Sequence, residues 1–178
     1  MKNNRGVTLV EVIVIVAILG IVSGGIAFSY GLVNSANAEK ASQSISGALE
    51  KVKLETMSKS KQSYLVLYKS SVESYEGYYI ASTTDLSTFV QEPDKHTKIA
   101  NQRMFIEVTL TDGVVLKVET TPVYLSFDRS TGAFIDCLSG SDVSALETKN
   151  PPASIKVYGN GKERVITCIT TTGKHYIE

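Results

Sequence analysis

Apolar residues are concentrated at the start of the chain. A predominantly apolar run covers residues 7–33, and Glu11 is the single charged residue within it. A helix over this run is about 40 Å long at 1.5 Å per residue, which exceeds the roughly 30 Å hydrocarbon core of a bilayer. We therefore predict a transmembrane helix over residues 7–33.

The helical pattern continues beyond this run but becomes amphipathic. Residues at intervals of three and four form one apolar stripe, which consists of Ala38, Ala41, Ile45, Ala48 and Val52. We predict that the helix continues over residues 34–60 into a soluble head and ends near Ser58, before a lysine-rich stretch. The whole helix is too long for a small head to bury, so its first half needs another environment.

The remaining residues, 61–178, show the alternation of a sheet protein. β-branched and aromatic residues recur with a period of two between turn signals such as Gly159-Asn160-Gly161. Strands are predicted at residues 63–68, 77–81, 104–110, 114–118, 122–127, 133–137, 154–158, 163–169 and 174–177. The sequence thus predicts an α+β fold: one long N-terminal α-helix, its first half transmembrane, packs by its second half on an antiparallel β-sheet head. Segments without periodicity, near residues 82–100 and 138–153, are predicted as exposed variable loops.

The distribution of charge indicates an orientation and excludes some classes of protein. Lys2 and Arg5 precede the apolar run, which places the N-terminus in the cytoplasm and the head outside. Eighteen Lys and Arg balance eighteen Asp and Glu, so the chain lacks the basic excess of a general nucleic-acid binder. Hydrophobic content of 43% and charged content of 20% are typical of a folded protein rather than a disordered one.

Two ordinary interpretations of the apolar run stay open at this point. One is a single-pass anchor; the other is a secretory signal cleaved after Ala38, because residues 36–38 have the small-x-small form of a cleavage site. The run is, however, about twice the 7–15 residues of a usual signal-peptide core. Neither interpretation explains Glu11, because a carboxylate near the centre of a membrane helix costs on the order of 2.5–3.5 kcal/mol and normally has a partner.

The residues around Glu11 carry a resemblance to a known family. The sequence GVTLVE at residues 6–11, after two basic residues and before an apolar run, resembles the N-terminal signature of type IV pilins and type II secretion pseudopilins. The resemblance implies a cleaved leader, residues 1–6, with the cut between Gly6 and Val7 and methylation of the new Val7 amine. It also implies that Glu11 pairs with the N-terminal amine of a neighbouring subunit during assembly.

The same resemblance implies the partners of the chain and a pilin-like fold. The partners are prepilin peptidase, other pilin or pseudopilin subunits in a homo- or heteropolymer, and the assembly platform of the cytoplasmic membrane. Within the apolar run, Gly20 and Gly24 form a GxxxG pair, for which close helix packing and local unwinding in a filament are two open roles. The head sequence VYLSFDRSTGAF, at residues 123–134, and the C-terminal hairpin are similar to minor pseudopilins of the H class and related minor pilins.

The head carries no motif of a known active site. His96 and His175 have no Cys or His at metal-binding spacing, and no phosphate-binding loop, HExxH helix or GxSxG elbow occurs in the sequence. We therefore expect no enzymatic activity, no cofactor and no metal site.

The two cysteines, Cys137 and Cys168, belong to a head predicted to lie on the oxidising side of the membrane. An even pair in an exported domain favours a disulfide, which would stabilise the head by about 2–4 kcal/mol. The alternative is two buried thiols that pack as small hydrophobes.

A weak candidate for DNA contact lies near the C-terminus. Four basic residues stand against two acidic ones in the last 25 residues, and so dispersed a charge favours a solvated hairpin over a DNA-binding surface. The four basic residues are Lys156, Lys162, Arg164 and Lys174.

From these observations we predict a structural subunit, minor rather than major, of a type IV pilus or of a type II secretion or competence pseudopilus. It would be a single-pass protein of the cytoplasmic membrane with its head outside, and later part of an extracellular or periplasmic filament. The alternatives are a tip pilin whose β head binds DNA or another surface, and a soluble protein secreted after cleavage behind Ala38.

Overall fold

One long helix and a β head make up the structure. The computed structural model describes residues 9–59, 61–140, 145–159 and 162–178. Helix α1 spans Leu9–Ser58, 50 residues, and is about 75 Å long; the side chains of residues 24–35 lie outside the description. The predicted end near Ser58 is confirmed, whereas the predicted start at Val7 lies outside the described residues.

The head contains eleven described strands in two antiparallel sheets. The strands are β1 Tyr64–Ser70, β2 Gly77–Thr83, β3 Thr97–Ala100, β4 Phe105–Leu110, β5 Val115–Lys117, β6 Val123–Ser126, β7 Cys137–Ser139, β8 Glu147–Lys149, β9 Pro152–Gly159, β10 Lys162–Ile169 and β11 Lys174–Ile177. A short 3-10 helix, Glu73–Tyr75, connects β1 to β2. One sheet has six strands in the order β3-β2-β1-β6-β7-β8, and the other has five in the order β11-β10-β9-β4-β5.

The predicted α+β class with an antiparallel head is confirmed, but the strands do not simply pair with their neighbours along the chain. Strand β1 pairs with β6, and β4 pairs with β9. These pairings join segments about 50 residues apart and divide the head into two sheets. Alternation along the chain identifies strands but carries no information about such distant partners.

The two segments predicted as exposed loops contain paired strands, and this part of the prediction is also wrong. Strand β3 lies within residues 82–100 and β8 within residues 138–153, at opposite edges of the six-stranded sheet. The strand predicted at residues 133–137 is instead an isolated bridge between Phe127 and Phe134. Edge strands of three or four residues are too short to show a period of two.

The main core lies where the second half of α1 packs against both sheets. The helix contributes Ala38, Ala41, Ile45, Leu49 and Val52, each at most 1% exposed. They contact the inward-facing residues of both sheets in one continuous apolar cluster. The predicted stripe is therefore confirmed in outline, with Leu49 buried more deeply than its neighbour Ala48.

A second apolar cluster covers the opposite face of the six-stranded sheet. Tyr68 and Tyr79 stack there with ring centroids 5.7 Å apart, and Phe89 packs over them from the segment after β2. His96 stacks on Phe89, with centroids 5.5 Å apart, and its Nδ1 lies 2.6 Å from the Tyr68 hydroxyl. The segment between β2 and β3 is thus folded onto the sheet.

The C-terminal end of α1 is joined to the head by buried hydrogen bonds. The Thr56 hydroxyl donates to the Ser63 carbonyl oxygen at 3.3 Å, and the Ser126 hydroxyl donates to the same oxygen at 2.5 Å. Gln62 Nε2 donates to the Phe127 carbonyl at 2.7 Å and also to the hydroxyl of Ser126. These bonds satisfy polar groups at the helix end and set its position over the sheets.

The predicted disulfide between Cys137 and Cys168 is wrong for this structure. Both thiols are free and buried, and they lie in different sheets, Cys137 in β7 and Cys168 in β10. Burial raises the pKa of Cys137 to about 11 and that of Cys168 to about 12. The alternative applies, in which each thiol packs as a small hydrophobe in the core.

Candidate functional site

The first turns of α1 expose apolar side chains in every direction. From Leu9 to Val22 the large aliphatic residues are between 47% and 78% exposed. Because they occupy consecutive positions, they cover the whole circumference of the helix rather than one stripe. A monomeric soluble protein rarely exposes so large an apolar surface, which indicates contact with lipid or with other chains. We call this segment, residues 9–22, the apolar rod.

Glu11 lies in the first turn of α1, between the exposed side chains of Val10 and Val12. At this end of a helix the backbone N–H groups and the helix dipole favour a negative charge. The residues predicted for cleavage and methylation, Gly6 and Val7, lie outside the described residues. The described helix therefore places the Glu11 carboxylate close to the terminus that the predicted cleavage would create.

The described residues contain no helical segment that is both long and apolar enough to cross a membrane. The predicted transmembrane half of α1 is therefore not shown by the structure.

Of the two predicted packing glycines, Gly20 lies on the rod, and Gly24 lies further along α1, where burial is not described. A Cβ placed on Gly20 meets no atom within 4 Å, so the helix backbone is open to close approach at this position. Such an opening suits helix–helix packing of the GxxxG kind.

The C-terminal hairpin β10–β11 holds α1 to the head through polar contacts. Arg164 Nε donates to Glu39 Oε2 at 2.5 Å, and this bond, with a second from Gln43, lowers the pKa of Glu39. His175 Nε2 lies 3.0 Å from the backbone oxygen of Ser46. These contacts join residues more than 120 positions apart, so sequence reasoning missed them and no local signal reveals them.

The structure does not bring the four candidate DNA-contact residues into one patch. Arg164 points toward α1, where it pairs with Glu39. Lys156 lies on a different face of the sheet, where its Nζ is 2.7 Å from Glu163 Oε2; Lys162 and Lys174 are exposed. Because two of the four charges are already paired within the head, the electrostatic footprint for a polyanion is small.

The structure also bears on cleavage behind Ala38. This residue is 1% exposed and lies within the continuous helix α1, packed against the sheets. Cleavage there would cut the helix at the point where it enters the core. The geometry therefore disfavours the interpretation as a secretory signal.

No group of three or more metal-ligating side chains occurs within the described ranges. The carboxylate with the largest set of local donors is Asp128, whose Oδ1 accepts from the N–H and hydroxyl groups of Ser130 and Thr131 at 2.6–3.0 Å. These bonds lower the pKa of Asp128 to about 2. They close the turn between β6 and the Phe134 bridge, and this turn packs against the one that joins β10 to β11.

Comparison with known proteins bears on the N-terminal segment. Residues 1–27 match the family model of the prokaryotic N-terminal methylation motif. Neither curated proteins nor solved structures match the chain. The matched segment contains Gly6, Val7 and Glu11 and covers the whole apolar rod, residues 9–22. The sequence motif and the exposed rod therefore coincide. The motif indicates a type IV pilin-like substrate of prepilin peptidase that assembles with other pilin subunits.

Proposed function

We propose that this chain is a minor structural subunit of a type IV pilus or of a type II secretion or competence pseudopilus, with no catalytic activity of its own. The observation that carries the proposal is the coincidence of the methylation motif at residues 1–27 with an apolar rod that is exposed on all sides. Before assembly the apolar half of α1 holds the chain in the cytoplasmic membrane, and in the filament it packs against helices of other subunits. Apolar burial supplies the cohesion in both environments.

Glu11 has the role of setting the position of one subunit relative to the next. Cleavage between Gly6 and Val7 creates a cationic amine at the end of an apolar helix, and a carboxylate is a strong partner for such a charge in an apolar setting. Methylation of the amine leaves its positive charge in place. The pairing is therefore available only to the processed chain.

Processing is tested by intact-mass analysis of the protein recovered from the cell surface. We expect the loss of residues 1–6 and the addition of one methyl group at Val7. A mature chain that begins at Glu39 would establish the secretory interpretation instead, and a chain that retains Met1 would contradict processing altogether.

Assembly is tested with Glu11→Ala. We expect normal membrane insertion and cleavage, because removal of a charge makes insertion of an apolar helix easier, but loss of incorporation into filaments. Ser23→Ala is a matched control, since the Ser23 hydroxyl donates within its own helix, to the Leu19 carbonyl at 2.6 Å. Incorporation of Glu11→Ala at the level of the control would remove Glu11 from the assembly mechanism.

A further inference from the structure

A depression of about 230 Å³ lies between α1 and the end of β3. Its polar lining consists of Asn37 and Lys40 from the helix, Lys98 from β3, and Asn101 from the turn that follows β3. No Asp or Glu lines this depression in the described part of the chain. We call it the basic pocket.

The polar groups of the basic pocket are available to a ligand. Within the described residues, neither lysine forms an ion pair and neither asparagine side chain makes a hydrogen bond. Lys40, Lys98 and Asn101 are exposed, and Asn37 is half-buried. Two ammonium groups and two amides therefore offer N–H donors to a ligand with negative charge and several acceptor oxygens. A phosphate group has this chemistry.

A second depression next to the basic pocket has a different charge. Lys98 and Arg103 line it together with Glu73 and Glu76, so two positive charges stand against two negative ones. The charges of that second depression therefore balance. Over both depressions together one positive charge remains, and it belongs to Lys40 in the basic pocket.

The basic pocket follows the apolar run closely along the chain. The run ends at Val33, and α1 continues without interruption through Asn37 and Lys40. At about 1.5 Å per residue these two residues lie about 6 Å and 10 Å beyond the end of the run. The headgroup layer on each side of a bilayer is about 5–8 Å thick. With the apolar run in a membrane, the pocket therefore lies at the level of the headgroups.

The length of the run brings one side of the head closer to the membrane. As a helix the run is about 40 Å long, roughly 10 Å more than the hydrocarbon core, and an overlong helix tilts. On the flank of α1 that faces β10, Glu39 is already paired with Arg164. On the flank that faces β3, both lysines are unpaired. Because lysines near the end of a membrane helix extend toward the headgroups, the β3 flank is the one that descends.

We propose that the basic pocket binds the phosphate of an anionic membrane phospholipid while the chain is held in the cytoplasmic membrane. Lys40 and Lys98 contact the phosphate oxygens, and Asn37 and Asn101 donate hydrogen bonds to them. The proposal rests on the proposed function, which places the apolar half of α1 in that membrane. The contact belongs to the state before assembly, because extraction into a filament removes the chain from its lipids.

The site is tested by titrating the full-length chain, in micelles of an uncharged detergent, with phosphatidylglycerol. Native mass spectrometry measures the fraction of chains that retain one lipid. A parallel titration uses a diacyl glycolipid with the same acyl chains and no phosphate, which measures the contact of acyl chains with the apolar rod alone. We expect phosphatidylglycerol to bind more tightly than the glycolipid. Equal affinities would overturn the proposal.

The two lysines of the pocket supply the decisive variant. Lys40→Gln combined with Lys98→Gln should weaken phosphatidylglycerol binding about thirtyfold and leave glycolipid binding unchanged, because each lysine near an anionic lipid contributes about a factor of five. Both side chains are exposed, so the fold does not depend on them.

The matched control is Lys51→Gln combined with Lys61→Gln, which removes the same charge from exposed positions away from the pocket. Lys51 lies about 16 Å further along α1 than Lys40, and Lys61 follows the end of the helix. This chain should bind phosphatidylglycerol like the wild type. An equal loss in both double variants would show a general attraction between charges rather than a site, and would overturn the proposal.

Competition identifies the source of the phosphate. Inorganic phosphate at the concentration of the lipid should leave phosphatidylglycerol bound, because the micelle holds the lipid beside the pocket at a high effective concentration. A short DNA duplex at the same concentration should also leave it bound. Displacement by either competitor would overturn the assignment to a membrane lipid, in favour of free phosphate or of a nucleic-acid backbone.

The outcomes for the lipid site and for the proposed function are distinguishable. A chain that is cleaved, methylated and incorporated into filaments but binds the two lipids equally contradicts the site and leaves the proposed function in place. A chain that binds phosphatidylglycerol through Lys40 and Lys98 but keeps its leader contradicts processing while supporting the site.

Discussion

The turn at Gly173 gives the sharpest test of how the head is held together. Gly173 has a φ of +60°, and a Cβ placed on it would lie 1.8 Å from the carbonyl oxygen of Gly132. A carbon and a carbonyl oxygen approach to about 3.3 Å, so Gly173→Ala must separate the two turns by about 1.5 Å. That separation strains the hydrogen bond from the Phe134 N–H to the Thr170 oxygen, 2.9 Å long.

The cost of this substitution can be worked out by comparison with Gly113→Ala. Gly113 has a φ of +85° but nothing within 4 Å of an added Cβ, so it isolates the backbone strain, about 1–2 kcal/mol. Gly173→Ala adds overpacking of about 1–3 kcal/mol and a weakened hydrogen bond of about 1 kcal/mol. We expect it to destabilise the head by about 3 kcal/mol more than Gly113→Ala, or roughly 6–12 °C in Tm for a chain of this length.

The assay measures the unfolding of the full-length chain in detergent, by urea and by heat, with circular dichroism as the probe. Gly132→Ala provides an intermediate case, since its φ is +68° but its added Cβ meets the far ends of Lys53 and Met57, which can move. We expect the loss of stability to increase from Gly113→Ala through Gly132→Ala to Gly173→Ala. Equal losses at Gly113 and Gly173 would refute the reasoning, because they would show that the close approach of the two turns contributes nothing.

Two further predictions follow from the buried ionisable groups. Cys137 and Cys168 should both be alkylated slowly in the folded protein and rapidly in urea, because burial raises their pKa values to about 11 and 12; a pair that resists alkylation in urea until a reductant is added would indicate a disulfide. Burial against Phe89 and Tyr68 lowers the pKa of His96 below the ordinary 6.5, so the folded head should lose stability as the pH falls below about 6.5. Unfolding in urea at pH 7.5 and 5.5 measures this loss, and His96→Gln should remove it; an equal loss in the variant would contradict the assignment to His96.

The N-terminal third of the chain, which forms α1, could be predicted from sequence because its signals are local. Three of these signals lie within about thirty positions of one another. They are the basic residues before the apolar run, the spacing of Gly6 and Glu11, and the aliphatic residues that follow. Helix periodicity is likewise a relation between residues three and four apart, which is why the stripe from Ala38 to Val52 and the helix end near Ser58 agree with the structure.

The strand order of the head could not be predicted from sequence, because it depends on contacts between residues distant in the chain. Period two located most strands, but the pairing of β1 with β6 and of β4 with β9 is decided by which faces the helix can bury, and this is not visible in any local window. The cysteines illustrate the consequence: both lie in segments correctly expected near strands, yet the division into two sheets places Cys137 and Cys168 apart.

The division of the head into two sheets also determines which distant residues meet at its surface. The sequence by itself determined that the chain carries a processing motif, an apolar rod and a β-rich head, because composition and short-range spacing suffice for these features. Tertiary structure alone decided that Arg164 meets Glu39 rather than facing solvent. It also decided that His175 meets the backbone oxygen of Ser46, because the entropy of closing such long loops is offset by core packing that involves the whole head at once.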